Sequence, residues 1–451
     1  MNLLYIWAFA LLAKLCLLPF IPITPDEAYY FAWSRHLSLS YFDHPPVISW
    51  LMLLAQPFWK TPFGVRVPGV VLGHITLWIW VKILGRLGFS EKTNALWLVL
   101  VLVGPMTGLG GFIVTPDVPL LVFWSLALYV FVSQIEPHAR PKLNSWILLG
   151  TWFGLGLISK YTMVLFPLSF LIFALADKRW TWLTSAGAYM AAATGSLFFA
   201  PVIAWNMQNH WASFQFQLNH GLNAARFNAA WAFEYLGGQF GLLNPVVATA
   251  SGLEIQRNPA KNKILWVFGL TPLAFFLVTS FRSHVEANWP VMGYPALIAL
   301  AAAWLSQPGR WPALWRRVAV ILSACFFTFV LTSMVSPPSS SNPIFARVQE
   351  FQLWKSDLDD LKEYRPLFAR SYQTAAFYSY FRPKSDEVFK IGGLDRRDFY
   401  DFQTESVPTG PFFAVLKADD QVPGAIIQKY DKKRIKELPS HFVLYQFILK
   451  P

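Results

Sequence analysis

Apolar runs separated by short polar loops make up most of the chain as far as residue 335. A helix that spans a bilayer needs roughly 17–25 mostly apolar residues, and several runs reach that length. The pattern predicts eleven spans, at 3–21, 68–85, 94–114, 117–134, 145–158, 162–176, 182–204, 231–252, 264–280, 290–305 and 317–335. The run at 47–59 is too short to span and is flanked by prolines, so we expect an interfacial helix there.

Composition agrees with a polytopic membrane protein. Hydrophobic residues make up 55% of the 451 residues and charged residues only 14%, against about 25% in a soluble protein. The net charge of +12 comes from basic residues scattered among the short loops, which indicates membrane topology and anionic lipid rather than nucleic acid. The two cysteines lie in apolar runs, so no disulfide framework is predicted.

The distribution of Lys and Arg predicts the orientation. With a cytoplasmic N-terminus, the inner loops include the basic stretches 82–92, 140–142, 178–179, 257–263 and 310–317. The outer loops before the last span then hold only Arg35, Lys60, Arg66, Lys160, Arg226 and Arg282. By the positive-inside rule, the loop 22–67 and everything after residue 336 are expected outside the cytoplasm.

Composition changes after the Ser/Pro-rich stretch 337–343, which we interpret as a linker between a membrane domain (1–336) and a soluble one (344–451). The last segment is rich in charges and contains no further span. Its alternating runs PFFAVLKA and HFVLYQFIL predict strands. We therefore expect a small extracytoplasmic α/β domain of about a hundred residues, long enough to bury its own core.

The loop 22–67 concentrates the acidic side chains that suggest chemistry. Asp26 and Glu27 are adjacent and cannot both point the same way, so one is expected to face a reaction centre while the other pairs with a cation or caps a helix. Asp43 and His44 combine a hard oxygen ligand with an imidazole, which suits a divalent metal ion, although their spacing matches no standard metal motif. An ordinary solvated loop remains the alternative.

Other polar residues fall on the same predicted side of the membrane. Lys160, followed by Tyr161, is either a phosphate ligand or a lysine that extends to the membrane interface. Asp117 is either a cavity residue or a helix cap, and Arg66 is either a phosphate ligand or an interfacial anchor. His284 and Glu286 are further candidates for the same cavity.

A series of short motifs resembles a known family. In order they are P-D-E-A-Y-Y, Y-F-D-H-P-P, G-V-R-V-P, T-P-D-V-P-L-L, S-K-Y and E-A-N-W-P, with S-Y-Q-T-A-A-F-Y and R-R-D-F-Y-D-F in the tail. Their order along the chain resembles the bacterial branch of the protein O-mannosyltransferase superfamily, whose relatives include the aminoarabinose and galacturonic acid transferases of lipid A. The resemblance implies the membrane glycosyltransferase C fold. It also implies inverting sugar transfer from a polyprenyl-phosphate donor to a glycolipid, glycan or protein acceptor, on the extracytoplasmic face of the bacterial inner membrane.

The resemblance also implies residue roles. Asp26 matches the acid that activates the acceptor hydroxyl, with Glu27 beside it in the same motif, and Asp43 matches an acid linked to substrate or metal. His44 stands where the aminoarabinose transferases have a lysine. Residues expected to bind the donor phosphate or substrate are His44, Arg66, Asp117, Lys160, Tyr161, His284 and Glu286.

This chemistry needs a carboxylate base and cations or a metal ion for the departing phosphate, but no nucleotide cofactor. No G-x-G-x-x-G nucleotide motif follows a predicted strand. The alternative is a transporter or flippase of lipid-linked saccharides. That function would favour ionisable residues near the middle of the membrane, where Lys14 is the one clear case, together with paired broken helices.

Overall fold

The computed structural model describes residues 2–134, 142–221, 227–338, 343–403 and 408–451. Up to residue 335, the described part is a bundle of mostly apolar helices. These helices are α1 (Leu3–Leu17), α2 (Pro25–Arg35), α3 (Val47–Ala55), α4 (Pro62–Arg86), α5 (Glu91–Val103), α6 (Asp117–Val132), α7 (Leu143–Leu157), α8 (Leu165–Ala176), α9 (Trp180–Leu183), α10 (Ala186–Gln208), α11 (Ala212–Gly221), α12 (Ala229–Leu243), α13 (Pro245–Arg257), α14 (Lys263–Ser280), α15 (Tyr294–Leu305) and α16 (Arg310–Val335).

Five helices of the described chain are long and apolar enough to cross a membrane: Leu3–Phe20, Pro62–Arg86, Ala186–Gln208, Lys263–Ser280 and Arg310–Val335. Each coincides with a predicted span. Shorter apolar helices occupy Val47–Phe58, Asp117–Val132, Leu143–Leu157, Tyr161–Ala176 and Val291–Leu305. The first of these is the predicted interfacial helix; the count of eleven spans stays a prediction.

Two predicted spans are broken well inside their bounds. The span 231–252 is broken at Asn244, which has a positive φ of 74° and is followed by Pro245, the first residue of α13. The span 94–114 is helical only to Val103, after which the chain turns back as an irregular segment. In that segment Gly111 adopts φ 88° in close contact with the backbone of α4, where a Cβ atom would lie 3.0 Å from Val70 Cα. Hydropathy does not reveal either break, because both segments remain apolar.

The region from residue 343 combines helices with one mixed sheet. Its helices are α17 (Pro343–Ser356), α18 (Leu358–Leu361), α19 (Tyr372–Tyr380) and α20 (Gly424–Lys429), and its strands are β1 (Leu367–Ala369), β2 (Phe389–Lys390), β3 (Phe412–Leu416), β4 (Tyr430–Glu437) and β5 (Val443–Leu449). The sheet order is β2-β1-β3-β5-β4. β1 pairs in parallel with β2 and β3, whereas β3, β5 and β4 pair antiparallel. β3 and β5 are the two strands predicted from the alternating runs; residues 339–342 of the predicted linker lie outside the described residues.

The two faces of the sheet bury different cores. Successive side chains of a strand point to opposite faces, so Phe368 contributes to a core within the C-terminal region, whereas Leu367 and Ala369 face the other way. That second face shares one core with the loop 22–67, including Phe31 and Trp33 of α2. The C-terminal region therefore does not bury a core entirely of its own, as the sequence had suggested, but is packed onto the acidic loop.

Polar contacts reinforce this packing at the end of α2. Arg35 donates from Nη1 to Ser379 O at 3.1 Å and from Nη2 to Arg382 O at 2.8 Å. His36 Nε2 lies 2.6 Å from Glu387 Oε2. Buried guanidinium and carboxylate groups are costly without partners, and here each has one from the opposite region. The contacts place the C-terminal region directly beside the last turn of α2.

Candidate active site

The first turn of α2 separates the two adjacent acids. Thr24 caps the helix by accepting a hydrogen bond from Glu27 N–H, and the Glu27 side chain returns to the Thr24 backbone, forming a capping box. Pro25 fits the first helical position because it lacks the N–H that would be unsatisfied there. The Glu27 side chain therefore lies against the start of the helix, whereas the Asp26 side chain points in a different direction. The sequence predicted this division of roles.

Glu27 forms a closed ion pair with Arg66 of α4. Arg66 Nε and Nη2 donate to the two carboxylate oxygens of Glu27 at 2.7 and 2.5 Å, and both side chains are fully buried. The remaining Arg66 donors bind Ile21 O and Pro22 O, each at 2.7 Å, and Val114 N–H donates to Glu27 at 3.1 Å. Every polar atom of the pair is engaged. These contacts hold the loop in place and favour a structural part for the pair; the predicted roles of Glu27 in chemistry and of Arg66 in phosphate binding stay predictions.

Asp26 faces a cavity of about 740 Å³, which we call the main cavity. Although its side chain is exposed, the exposed surface lines this cavity rather than the outside of the molecule. Desolvation by the surrounding protein raises the pKa of Asp26, and the nearby Glu27 adds to the rise. A hydrogen bond with Gln373 and the charges of Arg347 and Arg396 oppose it. A carboxylate with a raised pKa in a cavity suits a general base.

Asp43 lines the same cavity but is paired. The Tyr29 hydroxyl donates to Asp43 Oδ2 at 2.6 Å, and Arg396 Nη1 donates to Asp43 Oδ1 at 2.6 Å. The Tyr29 hydroxyl also accepts a hydrogen bond from Phe399 N–H at 2.9 Å. The arginine is 38% exposed at its side chain, so this ion pair opens onto the cavity.

The segment that carries Arg396 is held in place by the buried side chain of Lys390. Lys390 donates to Asp398 and Asp401, each at 2.6 Å, and to Arg396 O at 2.8 Å. Burial raises the pKa of Asp398 to about 7, although the Lys390 ammonium opposes that rise. The Arg396 guanidinium also lies 4.5 Å from the centroid of the Tyr372 ring. The C-terminal region thus places Arg396 in the main cavity, on a segment held by the hydrogen bonds of Lys390.

A second ion pair lies on the membrane side of the cavity. Lys160 Nζ donates to Asp117 Oδ1 at 2.6 Å, and Asn288 Nδ2 donates to Asp117 Oδ2 at 2.6 Å. Asp117 begins α6 and Lys160 precedes the 3-10 turn Tyr161–Val164, so two loop-to-helix junctions supply the pair. The Tyr161 hydroxyl lies 2.8 Å from Ser213 Oγ. The predicted residues Asp117, Lys160 and Tyr161 all line the main cavity, and so does Asn288.

The remaining predicted residues divide between inside and outside. His44 and Glu286 line the main cavity, whereas His284 is exposed and does not line it. The role of His284 in phosphate binding stays a prediction, without support from its position. Among the described residues, the cations that line the main cavity are Lys160, Arg347 and Arg396.

A second cavity of about 340 Å³ adjoins the first. Both cavities are lined by Asp26, Thr115, Asp117 and Asn288, so they meet at the two carboxylates. Its other walls come mainly from α4, α5, α6 and the irregular segment that follows α5, and they are largely apolar.

The metal site predicted at Asp43 and His44 stays a prediction. Within the described ranges, no three His, Cys, Asp or Glu residues are grouped as metal ligands. The Asp43 carboxylate already accepts hydrogen bonds from Arg396 and from the Tyr29 hydroxyl. We therefore assign no step to a metal ion.

Residue-by-residue reasoning overlooked the contribution of the C-terminal region. Arg347, Tyr372, Gln373 and Arg396 all line the main cavity. A signal was present for three of them, because Tyr372 and Gln373 lie in S-Y-Q-T-A-A-F-Y and Arg396 begins R-R-D-F-Y-D-F. Both motifs were recognised as family-like, but nothing in the sequence linked them to Asp43.

Comparison with known proteins agrees with this architecture. Residues 43–205 match the family model described as dolichyl-phosphate-mannose-protein mannosyltransferase. The chain is 24% identical over 309 residues to the lipid A galacturonosyltransferase RgtD of Rhizobium johnstonii, covering 64% of this chain and 61% of the relative. It is 27% identical over 318 residues to an undecaprenyl phosphate-α-4-amino-4-deoxy-L-arabinose arabinosyl transferase of Pseudomonas fluorescens, covering 63% of this chain and 54% of that one. The matches thus span less than two thirds of either relative.

The fold likeness is more extensive. The crystal structure of ArnT from Cupriavidus metallidurans bound to undecaprenyl phosphate superimposes with a TM-score of 0.72 at 14% identity, covering 98% of this chain and 97% of that one. Near-complete coverage in both directions includes the helical bundle and the C-terminal region alike. Together with the apolar helices, it makes this a multi-pass membrane protein. The chain therefore shares the fold of ArnT, and its residues 43–205 are similar to the mannosyltransferase family model.

Proposed function

We propose that the chain is a glycosyltransferase that moves a sugar from a polyprenyl-phosphate donor to a lipid A or lipopolysaccharide-type glycolipid. The observation that carries the proposal is Asp26, a carboxylate with a raised pKa that faces a cavity also lined by three cations. The printed activities of the relatives, galacturonosyl and aminoarabinosyl transfer, support the same reaction class.

In the proposed reaction Asp26 accepts the proton of the acceptor hydroxyl. The hydroxyl oxygen then forms a bond to the anomeric carbon of the donor sugar while the bond from that carbon to the phosphate oxygen breaks. The new bond forms on the face opposite the departing phosphate, so the anomeric configuration inverts. General-base catalysis of this kind contributes about 10²–10⁴-fold to a rate.

The departing polyprenyl phosphate needs compensation for its negative charge. Arg347 and Arg396 are the two cavity cations with exposed or partly exposed side chains, and we assign them to the phosphate. Lys160 is held by Asp117, which keeps that part of the cavity near neutrality. This assignment replaces Arg66 and His284 with arginines of the C-terminal region.

The membrane setting is part of the proposal. We place the cavity and the C-terminal region on the outer face of a bacterial inner membrane, on the basis of the excess of Lys and Arg in the opposite loops. A polyprenyl donor is available in that membrane without a nucleotide. A carrier-linked glycan or a protein is the alternative acceptor.

The test is mass spectrometry of envelope glycolipids and glycoproteins from cells with the intact gene, a deletion and the Asp26→Asn variant. We expect one species to lose a single sugar-sized mass in both the deletion and the variant. Asp359→Asn is the matched control, because Asp359 lies on α18 with an 88% exposed side chain and does not line the cavity. If the deletion loses the modification and Asp26→Asn keeps it, the carboxylate is not the base and the transport function becomes the better account.

A further inference from the structure

The proposed reaction leaves one buried charge without a role. Lys14 lies in α1, within a membrane-spanning segment, and is only 7% exposed. Its Nζ donates to Gly110 O at 2.9 Å and lies 5.2 Å from the centroid of the Phe112 ring. In the part of the chain that the structure describes, no carboxylate forms an ion pair with it. A charged lysine inside a membrane protein is costly and usually faces a cavity or a substrate path.

Lys14 lines the second cavity. Among the described lining residues it is the sole cation there, and the acids Asp26 and Asp117 lie where this cavity meets the main one. Asp117 is neutralised by Lys160, so a second anion in this cavity would find its counter-charge at Lys14. An ammonium group has three donors, one of which reaches the Gly110 carbonyl.

The walls of the second cavity are largely apolar and firmly packed. Trp80 and Trp97 both line it, with their rings stacked at 5.9 Å and 26°. Their indole N–H groups are held by Ser125 Oγ and Pro295 O, each at 2.9 Å, so the rings are fixed in place. Mostly apolar walls with a few placed polar groups are typical of small-molecule sites, and about 340 Å³ lies within the usual range of roughly 300–1,000 Å³.

We propose that the second cavity receives the sugar of the donor and that this sugar carries a carboxylate, with Lys14 as its counter-ion. The anomeric carbon would then lie at the junction beside Asp26, with the phosphate towards the arginines of the main cavity. A hexuronic acid satisfies this arrangement. An amino sugar places a second cation against Lys14, and a neutral hexose leaves the lysine without an anion.

This inference rests on the proposed function, and the experiment separates the two. The purified full-length protein is assayed with lipid A and three synthetic polyprenyl-phosphate donors, which carry galacturonic acid, galactose or 4-amino-4-deoxyarabinose. Transfer is followed by mass spectrometry, and donor binding by the rise in melting temperature. We expect the galacturonic acid donor to give the highest kcat/KM and the largest rise.

The variants test Lys14 directly. Lys14→Met is expected to lower the preference for galacturonic acid over galactose by roughly 10- to 100-fold, the size of a lost hydrogen bond to a charged group. Lys14→Arg, which keeps the charge, is expected to retain most of that preference. Lys60→Met is the matched control, because Lys60 is exposed and lines neither cavity.

Two results would overturn the inference while leaving the proposed function intact. One is a parent protein that prefers the neutral or the amino sugar. The other is a Lys14→Met protein in which all donors lose activity equally, which would make Lys14 a purely structural ligand of Gly110. A parent protein that neither binds nor uses any of the three donors would instead count against the proposed function itself.

Discussion

Glu27 and Asp43 each pair with an arginine, but the two ion pairs lie in opposite surroundings. The Glu27–Arg66 pair is fully buried and makes four further contacts with backbone groups, those of Ile21, Pro22, Thr24 and Val114. The Asp43–Arg396 pair opens onto the main cavity and joins two regions that are 353 residues apart in the chain. Because all polar atoms of the Glu27–Arg66 pair have partners, that pair holds the loop in place. Because Arg396 is partly exposed to the main cavity, it remains available to an anionic ligand. Access to the cavity therefore separates structural from functional charges better than position within a motif does.

The largest expected effect comes from breaking the closed pair. Arg66→Met leaves the Glu27 carboxylate buried without its cation, and we expect the free energy of unfolding to fall by about 3–5 kcal/mol. Denaturant or thermal unfolding in detergent measures this. The Glu27→Leu/Arg66→Met double variant removes both charges and should recover much of the loss. Arg66→Met protein with unchanged stability and a raised KM for the donor would return Arg66 to phosphate binding.

Asp26→Asn should lower the rate of transfer but leave the stability of the protein nearly unchanged. The amide cannot accept the proton, so we expect kcat to fall by about 10²–10⁴-fold, while the melting temperature stays close to that of the parent. Single-turnover transfer by the purified protein measures the chemical step. Glu27→Gln is the neighbouring comparison, and it should reduce stability rather than act on the chemical step alone. Equal rates for Asp26→Asn and the parent protein would show that another group takes the proton.

The sequence predicts local features of this site because they depend on neighbouring residues. Thr24, Pro25 and Glu27 carry the signature of a helix start, and that signature implies that the two acids diverge. Hydropathy likewise located the helices that the structure shows to be long and apolar. The helix break at Asn244 was not predicted, because an Asn-Pro pair is a weak signal inside an apolar run.

Long-range pairings were beyond the sequence. From the sequence alone, Arg66 could equally be an interfacial anchor, a phosphate ligand or a counter-ion. Only the fold brings it to Glu27 and to the carbonyl groups of Ile21 and Pro22. Arg396 belongs to a segment that seemed part of a separate domain, yet one face of the C-terminal sheet shares its core with α2. The contact with Asp43 follows from that packing and from no pattern near either residue.

Removing the cavity arginine should affect donor use more than folding. In Arg396→Gln we expect kcat/KM for the polyprenyl-phosphate donor to fall by roughly 10- to 100-fold, mainly through KM, because one charge-assisted contact to the phosphate is lost. Arg397→Gln is the matched control: Arg397 stacks 4.5 Å from the Phe402 ring centroid and does not line the main cavity. Equal losses in the two variants would point to general disturbance of the segment instead.

The smallest expected effect is a shift in pH dependence. Activity requires ionised Asp26, so the rate should fall as pH drops through its pKa, which desolvation holds above the ordinary aspartate value. Gln373 stabilises the ionised form through a hydrogen bond, and Gln373→Leu should therefore raise this pKa further and move the acid limb of the pH–kcat profile to higher pH. At high pH the variant and the parent should have similar rates, because Asp26 is ionised in both. An acid limb that moves to lower pH, or one that stays unchanged, would mean that a group other than Asp26 controls the rate.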